Sequence, residues 1–461
     1  MKKPQKNHKE LGSFRDPSGF VYYRNKKIFR QIHQSYLSTF TELKNSGFLT
    51  KLTKQKLLLP FKETSLKLAF DTQAVKVLQT PRLPFVSYPY EWSFSQLKDA
   101  ALLTLKLQKI ALQHGFSLKD ASAYNIQFWQ GKPILIDLLS FEKYMPGKPW
   151  VAYRQFCEQF LGPLLLINYT DLRLTTLLRT HLDGIPLDLI SRLLPKKTFL
   201  RLAISMHIHF HAKNQQQFGA QHQQRLTRLS KLNLIALLDN LESLINSLSL
   251  ANQPTEWGKY YTFTNYSGKA FANKKKIVKQ FINQIKPKTV WDLGGNTGEF
   301  SRLASNKGIF TVSFDIDPKA VEHNYQQVKT RQEKQLLPLL LDLTNPSPRL
   351  GWALTERQSL LDRGPVELVM ALALIHHLAI SQNLPFENIA DLMQNLSKYL
   401  IIEFVPKTDS QVQKLLSTRK DIFDHYDQHN FEKAFLQHFH IIKKEPIKHG
   451  SQRVLYLMKK K

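Results

Sequence analysis

The chain has 461 residues, with 65 Lys and Arg against 36 Asp and Glu, a formal net charge of +29. That length is too great for one ordinary domain, and a hydrophobic content of 42 % supplies sizeable cores, which excludes a wholly disordered chain. The one cysteine, Cys157, excludes a disulfide framework and a multi-thiolate zinc site, while the basic excess suits an anionic partner: RNA, an anionic glycan or lipid head groups.

The N-terminus, Met1-Lys2-Lys3-Pro4, is polar with no apolar stretch behind it, so it is not a secretory signal. The longest apolar runs, such as 161–168 and 366–378, are too short for a membrane span. A cytoplasmic location is therefore expected. Residues 1–250 hold 35 basic and 16 acidic residues, but the lysines are scattered, with three-residue runs only at 274–276 and 459–461.

Residues 19–30 carry apolar flanks around Arg24-Asn25-Lys26, the pattern of a hairpin. Helical spacing follows over 34–52. Short strands are expected near 56–60 and 74–80, and a long helix over 95–114. Next come Leu118-Lys119-Asp120, Tyr124-Asn125 and Ile136-Asp137: a loop, a hairpin and an acid at a strand end. The Asp-x4-Asn spacing with a second Asp twelve residues on resembles the catalytic loop of kinase-like phosphotransferases. That resemblance implies that Asp120 would orient an acceptor hydroxyl and that Asn125 and Asp137 would hold magnesium. The departures are Leu118 where the family has His, Leu138-Leu139 in place of Phe-Gly, and no glycine-rich phosphate loop. They point to a degenerate fold that positions substrate.

Residues 151–252 look mostly helical, with helices expected over 150–168, 172–182, 191–213 and 231–250. His207 and His211 have a metal-compatible spacing, but no Glu lies between them and no third ligand is obvious, so they read as packed or surface side chains. Residues 214–224 are glutamine-rich and read as a loop or exposed helix. The stretch 251–258, with Pro254, reads as a boundary, and Tyr260, Tyr261 and Tyr266 lead on to a helix over 274–285. The expected organisation is an α+β region over 1–150, its helical continuation over 151–252, and an α/β domain over 253–461.

That last part alternates strands and helices. Thr289 to Leu293 is an apolar strand carrying Asp292, followed by the turn Gly294-Gly295-Asn296-Thr297-Gly298. Glycine leaves no Cβ between backbone and ligand, and Asn tolerates the left-handed region better than most residues. A second strand, 310–317, carries Asp315 about 20 residues past the turn, the spacing at which an acid reaches ribose hydroxyls. A third, 336–341, ends at Asp342. A fourth, 366–372, runs into Ala373-Leu374-Ile375-His376-His377, and a fifth, 399–404, carries Glu403. Residues 439–447 and 453–458 read as a closing antiparallel pair.

From about Lys274 onward the chain resembles class I S-adenosylmethionine-dependent methyltransferases. Asp292-Leu293-Gly294-Gly295-Asn296-Thr297-Gly298 stands for the family's D/E-x-G-x-G-x-G, with Asn296 in place of the middle glycine. The resemblance implies a Rossmann-like seven-stranded sheet and an S-adenosyl-L-methionine site. Asp292, Gly294, Gly295, Asn296 and Gly298 would cradle the methionine part, Asp315 would take the ribose hydroxyls, and Asp342 and Leu343 would border the adenine. Ala371, at the end of the fourth strand, completes the set. A P-loop is absent and the NAD fingerprint is not matched. His376 and His377 are the candidate catalytic residues, because His titrates in the range useful to a base. No Asn/Asp-Pro-Pro-Tyr/Phe run follows the fourth strand, which points away from exocyclic amino groups of bases, and the lone cysteine points away from pyrimidine carbons. The expected acceptor is an oxygen or carbon of a small molecule or glycan. RNA is the alternative that the charge suggests, and a non-catalytic binding protein with a methyltransferase fold is the alternative from another class. No metal site is expected in this half.

Overall fold

A computed structural model describes residues 7–212, 229–250, 268–417, 419–448 and 452–461. The expectations for 214–224, for the 251–258 boundary and for Tyr260, Tyr261 and Tyr266 lie outside the described residues. The chain divides into two compact units: Met1–Asn252 with Leu350–Arg357, and Gln253–Arg349 with Gln358–Lys461.

Unit 1 begins with five antiparallel strands: β1 (Asn7–Lys9), β2 (Gly19–Arg24), β3 (Lys27–His33), β4 (Lys62–Thr64) and β5 (Ala74–Thr80), in the order β1-β2-β3-β5-β4. Asn25 and Lys26 both have positive φ, so the expected hairpin turns in two residues with the twist that antiparallel strands favour. The helix expected over 34–52 is two helices, Leu37–Asn45 and Phe48–Lys54, because Gly47 at φ +73° interrupts it. The strand expected near 56–60 is only an isolated bridge, Leu58 with Leu135, since Lys56 is left-handed and breaks the extended run.

Helix α1 (Phe94–Gln113) follows, its start fixed by a reciprocal cap between Ser93 and Gln96. Strands β6 (Phe116–Leu118), β7 (Ile126–Trp129), β8 (Lys132–Leu135) and β9 (Phe141–Lys143) then form two small pairs, β6 with β9 and β7 with β8. A five-stranded lobe, a long helix and these two pairs follow one another in the chain order that the resemblance implies. The remainder is helical, in shorter pieces than the periodicity suggests. Residues Leu172–Thr176 form a 3-10 turn before the short helix Leu177–Thr180, and Pro195 splits the stretch expected over 191–213. Helix α2 (Lys231–Ser247) closes the described part of this run. The segment Leu350–Arg357 belongs to unit 1 as well. Its ends pair with each other, Arg15 grips Glu356 through Nε (3.3 Å) and Nη2 (2.6 Å), and the Arg357 guanidinium lies 4.0 Å from the Tyr124 ring centre.

Unit 2 is built on seven strands: β10 (Thr289–Leu293), β11 (Phe310–Asp315), β12 (Leu336–Leu340), β13 (Val366–Ala371), β14 (Ser397–Phe404), β15 (Phe439–Pro446) and β16 (Val454–Lys460). Their order is β12-β11-β10-β13-β14-β16-β15, with the first five parallel and β16 antiparallel to both neighbours. Helix α3 (Gly268–Ile285) lays Val278, Phe281 and Ile282 against Val290, Met370 and Leu457 of the sheet. Helices α4 (Pro318–Arg331), α5 (Phe386–Leu396) and α6 (Gln428–Leu436) cover the rest. The strands of this core are buried on both faces, which is why they read as continuous apolar runs rather than alternating ones. The order reverses at β10, and the crevice past the carboxyl ends of strands at such a switch point is where open α/β sheets bind ligands.

Candidate functional site

The turn after β10 is shaped by its backbone. Gly294 (φ +74°), Asn296 (φ +47°) and Gly298 (φ +81°) are all left-handed. The amides of Gly294 and Gly295 both donate to the Phe314 carbonyl, at 2.9 and 2.8 Å, which pins the turn to β11. The Asn296 amide donates to Asp315 Oδ2 at 2.8 Å, and the Asp317 amide to Asp315 Oδ1 at 2.9 Å. Asp315 therefore braces the turn from the end of β11. Asp292 Oδ2 accepts from Ser301 Oγ at 2.6 Å. A Cβ added to Gly295 would stand 2.4 Å from Ser313 Oγ and 3.1 Å from Asp292 Oδ2, whereas one at Gly294 would meet nothing nearer than Leu374 Cδ1 at 3.3 Å. Gly298 faces Arg302 and Asn324 in the same way, within 2.6 Å.

A cavity of about 360 Å³ opens at this edge of the sheet. Asp292, Gly294, Gly295, Asn296, Asp315, Asp342, Leu343 and His377 are in its wall. Three expected residues stand behind it. Gly298 supports the turn from below, Ala371 is interior to β13 with Leu372 and Ala373 reaching the wall instead, and His376 is buried beside His377, ring centres 4.2 Å apart. The rest of the wall is largely apolar: Phe271, Phe300, Phe314, Leu374, Leu378 and Leu415 are examples.

Among the described residues Lys274 is the one cationic side chain in the wall, and nothing in the sequence marked it beyond membership of a lysine run. It comes from α3 and is buried, its Nζ 2.6 Å from Glu403 Oε2 at the end of β14. Glu403 also faces Arg453 Nη1 (3.4 Å), which makes a two-pronged pair with Asp409, Nε to Oδ2 at 2.7 Å and Nη2 to Oδ1 at 2.8 Å. Burial lowers the Lys274 pKa, opposed by the Glu403 charge. Burial raises Asp292 and Asp315 to about 6, in each case against the hydrogen bonds that favour the carboxylate. It lowers His377 to about 4 and His376 well below the usual imidazole value, with His377, Arg453 and Lys274 adding to the effect on His376. Both rings are neutral at pH 7. His376 Nδ1 and Ser381 Oγ, a wall residue, are buried atoms with no partner among the described residues.

In unit 1 the three kinase-like positions are only partly brought together. Asn125 Nδ2 donates to Ser140 Oγ at 3.3 Å, and Ser140 Oγ donates to Asp137 Oδ2 at 2.5 Å. Asp120 instead accepts from Gln155 Nε2 at 2.8 Å and from the Ser122 amide at 2.9 Å. Arg30 of β3, unmarked in the sequence, places Nη1 2.5 Å from Asp137 Oδ1. A guanidinium thus already neutralises the acid that the kinase resemblance assigns to magnesium, and Asp120 is turned to Gln155 and Ser122. This donor set does not fit magnesium, and among the described residues no group of three or more His, Cys, Asp or Glu could hold a metal. His207 and His209 are packed: His207 bonds Tyr153 (2.7 Å) and Asn240 (2.8 Å), and His209 bonds Ser191 (2.8 Å) and Thr198 (3.0 Å).

A wound sheet of order 3-2-1-4-5-7-6 with an antiparallel seventh strand, a glycine turn after strand 1 and acids at the carboxyl ends of strands 1, 2 and 3 define a class I methyltransferase fold in unit 2. Among solved structures, similar chains include magnesium protoporphyrin IX methyltransferase from Synechocystis PCC 6803 with bound SAH (17 % identity, 44 % of this chain and 93 % of that one, TM-score 0.31). Others are the N-methyltransferase NodS from Bradyrhizobium japonicum WM9 (9 %, 42 % and 98 %, TM-score 0.29) and the bifunctional kinase-methyltransferase WbdD (15 %, 47 % and 45 %, TM-score 0.30). No protein-family model matches the chain. The nodulation protein NoeA of Rhizobium meliloti (strain 1021) is 37 % identical over 454 residues, which cover 96 % of this chain and 94 % of that protein. The chain belongs to the family of this nodulation protein. No helix among the described residues is long and apolar enough to cross a membrane.

Proposed function

We propose that unit 2 binds S-adenosyl-L-methionine and transfers its methyl group to an oxygen or carbon of a small molecule or glycan. The observation that carries this is the cavity wall, which sets Asp292, Asp315 and Asp342 at three successive strand ends beside a turn with no room for a Cβ at Gly295 or Gly298. The donor set fits the cofactor. Acids suit an ammonium group and ribose hydroxyls, and the apolar remainder suits an adenine and a sulfonium that has no phosphate to be cradled. When bound, the cofactor supplies an electrophilic methyl group. The wall would hold donor and acceptor close together for an in-line displacement.

The acceptor's end of the cavity includes His377, Leu378, Ser381 and Leu415. Ser381 Oγ, buried without a partner, suits an acceptor carrying a polar atom, because an unmet buried hydroxyl costs about 1–3 kcal/mol. His377, neutral at pH 7, can accept a hydrogen bond from an acceptor hydroxyl. With a pKa of about 4 it orients that hydroxyl better than it removes its proton. RNA has less support. It rests on total charge, while the wall's one cation among the described residues is paired with Glu403.

Calorimetry with S-adenosylmethionine, followed by a methyl-transfer assay on hydroxylated small molecules and glycans, tests the reading. No heat at high micromolar cofactor removes it, and binding without turnover on any acceptor turns it into the non-catalytic alternative. Affinity should also fall as pH is lowered through about 6, since Asp292 and Asp315 then become neutral. The free protein should show the opposite trend. An acid whose folded pKa is raised stabilises the fold fully below its unfolded value of about 4, and that contribution fades as pH rises through about 6. A flat affinity between about pH 5 and pH 7.5 would count against charged acids at the site.

Gly295→Val should weaken cofactor binding roughly five- to 150-fold, because overpacking of about 1–3 kcal/mol displaces the turn and Asp292 together. Titration of a variant that melts cooperatively is the check, and wild-type affinity would place the ligand elsewhere.

A further inference from the structure

We infer that residues Arg192–Phe210 of unit 1 form a docking surface for an anionic lipid bilayer. From Phe199 to Phe210 five large apolar side chains are turned to solvent: Phe199, Leu200, Leu202, Met206 and Phe210, with Leu200 89 % and Leu202 78 % exposed. Leu202, Met206 and Phe210 follow one another at intervals of four and so share a helical face, while Ile204, His207 and Ile208 between them are buried. Isolated exposed apolar residues are ordinary, but five within twelve positions are a patch of the kind that marks an interaction site.

The base beneath the patch is rigid. The Phe199 ring stacks on His209 at 3.7 Å, and His209 is held on both ring nitrogens, by Ser191 and Thr198. These side chains are therefore presented outward by a packed scaffold rather than by a frayed end.

Charge decides the partner. Arg192, Lys196, Lys197 and Arg201 are exposed within the same stretch, and none makes an ion pair with another described residue. No acidic residue occurs from Leu189 to Ala212. A basic rim around projecting Leu and Phe side chains is the composition that seats in the interfacial layer of an anionic bilayer, where the cations meet lipid phosphates and the apolar groups reach the acyl boundary. A second copy of this chain fits less well, because a self-complementary contact would bring the four cations against their own equivalents. A nucleic acid would meet the cations but leave the aliphatic Leu200 and Leu202 without a base to stack on.

The test uses the full chain and co-sedimentation with two kinds of vesicle, phosphatidylcholine alone and phosphatidylcholine with roughly a third phosphatidylglycerol. The protein should pellet with the anionic vesicles and be released when salt rises from about 0.1 M to about 0.5 M. Lys196→Glu/Lys197→Glu and Leu200→Asp/Leu202→Asp should each cut partitioning at least about tenfold. Lys26→Glu/Lys27→Glu, an equal charge change at exposed positions in the first hairpin, should change it little. Equal pelleting with both lipids, or an equal loss in the control variant, would overturn the proposal. So would a dimer that Leu200→Asp/Leu202→Asp dissolves in a chain that ignores vesicles. The proposal does not depend on methyl transfer.

Discussion

Glu403→Leu should destabilise the protein by about 3–5 kcal/mol, the cost of leaving buried charge without its counter-ion. The carboxylate is fully buried and holds Lys274 at 2.6 Å, with Arg453 on its other oxygen. Removing it takes the counter-ion from Lys274, while Arg453 keeps its two-pronged bond to Asp409. In a thermal melt the loss corresponds to roughly 6–20 °C for a unit of this size. The double variant Lys274→Met/Glu403→Leu should recover most of the loss, because exchanging a whole buried pair for apolar groups is near neutral. A single variant that melts with the wild type would show that water reaches the pair. A double variant no better than the single one would place the stabilising role of Glu403 with Arg453.

Asp315→Ala should weaken cofactor binding by about 1.5–3 kcal/mol, a rise in Kd of roughly ten- to 150-fold. Two effects add. The ribose loses its charged acceptor, and the amides of Asn296 and Asp317 lose the carboxylate that now fixes the turn. The second effect should also lower the melting temperature of the free protein, which separates this variant from one that merely empties the cavity. Unchanged affinity with a normal melt would place the site elsewhere in the molecule.

The parts of unit 2 that the sequence made legible are local ones. Each strand end with its acid, and the turn from Gly294 to Gly298, is written in a few consecutive residues, because backbone conformation and a neighbouring ligand contact are short-range matters. The Lys274–Glu403–Arg453 group was not legible. Its members come from α3, β14 and the residue just before β16, and only the closing of the sheet brings them together. The same holds for Arg30 and Asp137, joined by the folding of β3 over a loop more than a hundred positions later. His376 illustrates a different limit. An adjacent pair of histidines does not reveal which ring faces the ligand, and here it is His377 that reaches the wall. The helix expected over 34–52 failed because Gly47 was outweighed by strong flanking periodicity.

The short stretch Leu350–Arg357 makes unit 1 discontinuous, and this constrains how the protein can be born. A ribosome delivers the chain from its N-terminus, and domains generally fold as they emerge. Unit 1 cannot do so completely. Arg15 and Tyr124 must wait for Glu356 and Arg357, and by then roughly a hundred residues of unit 2, carrying its first three strands, have already left the exit tunnel. The first unit to begin folding is thus among the last to finish, and the two halves mature as overlapping events rather than in succession.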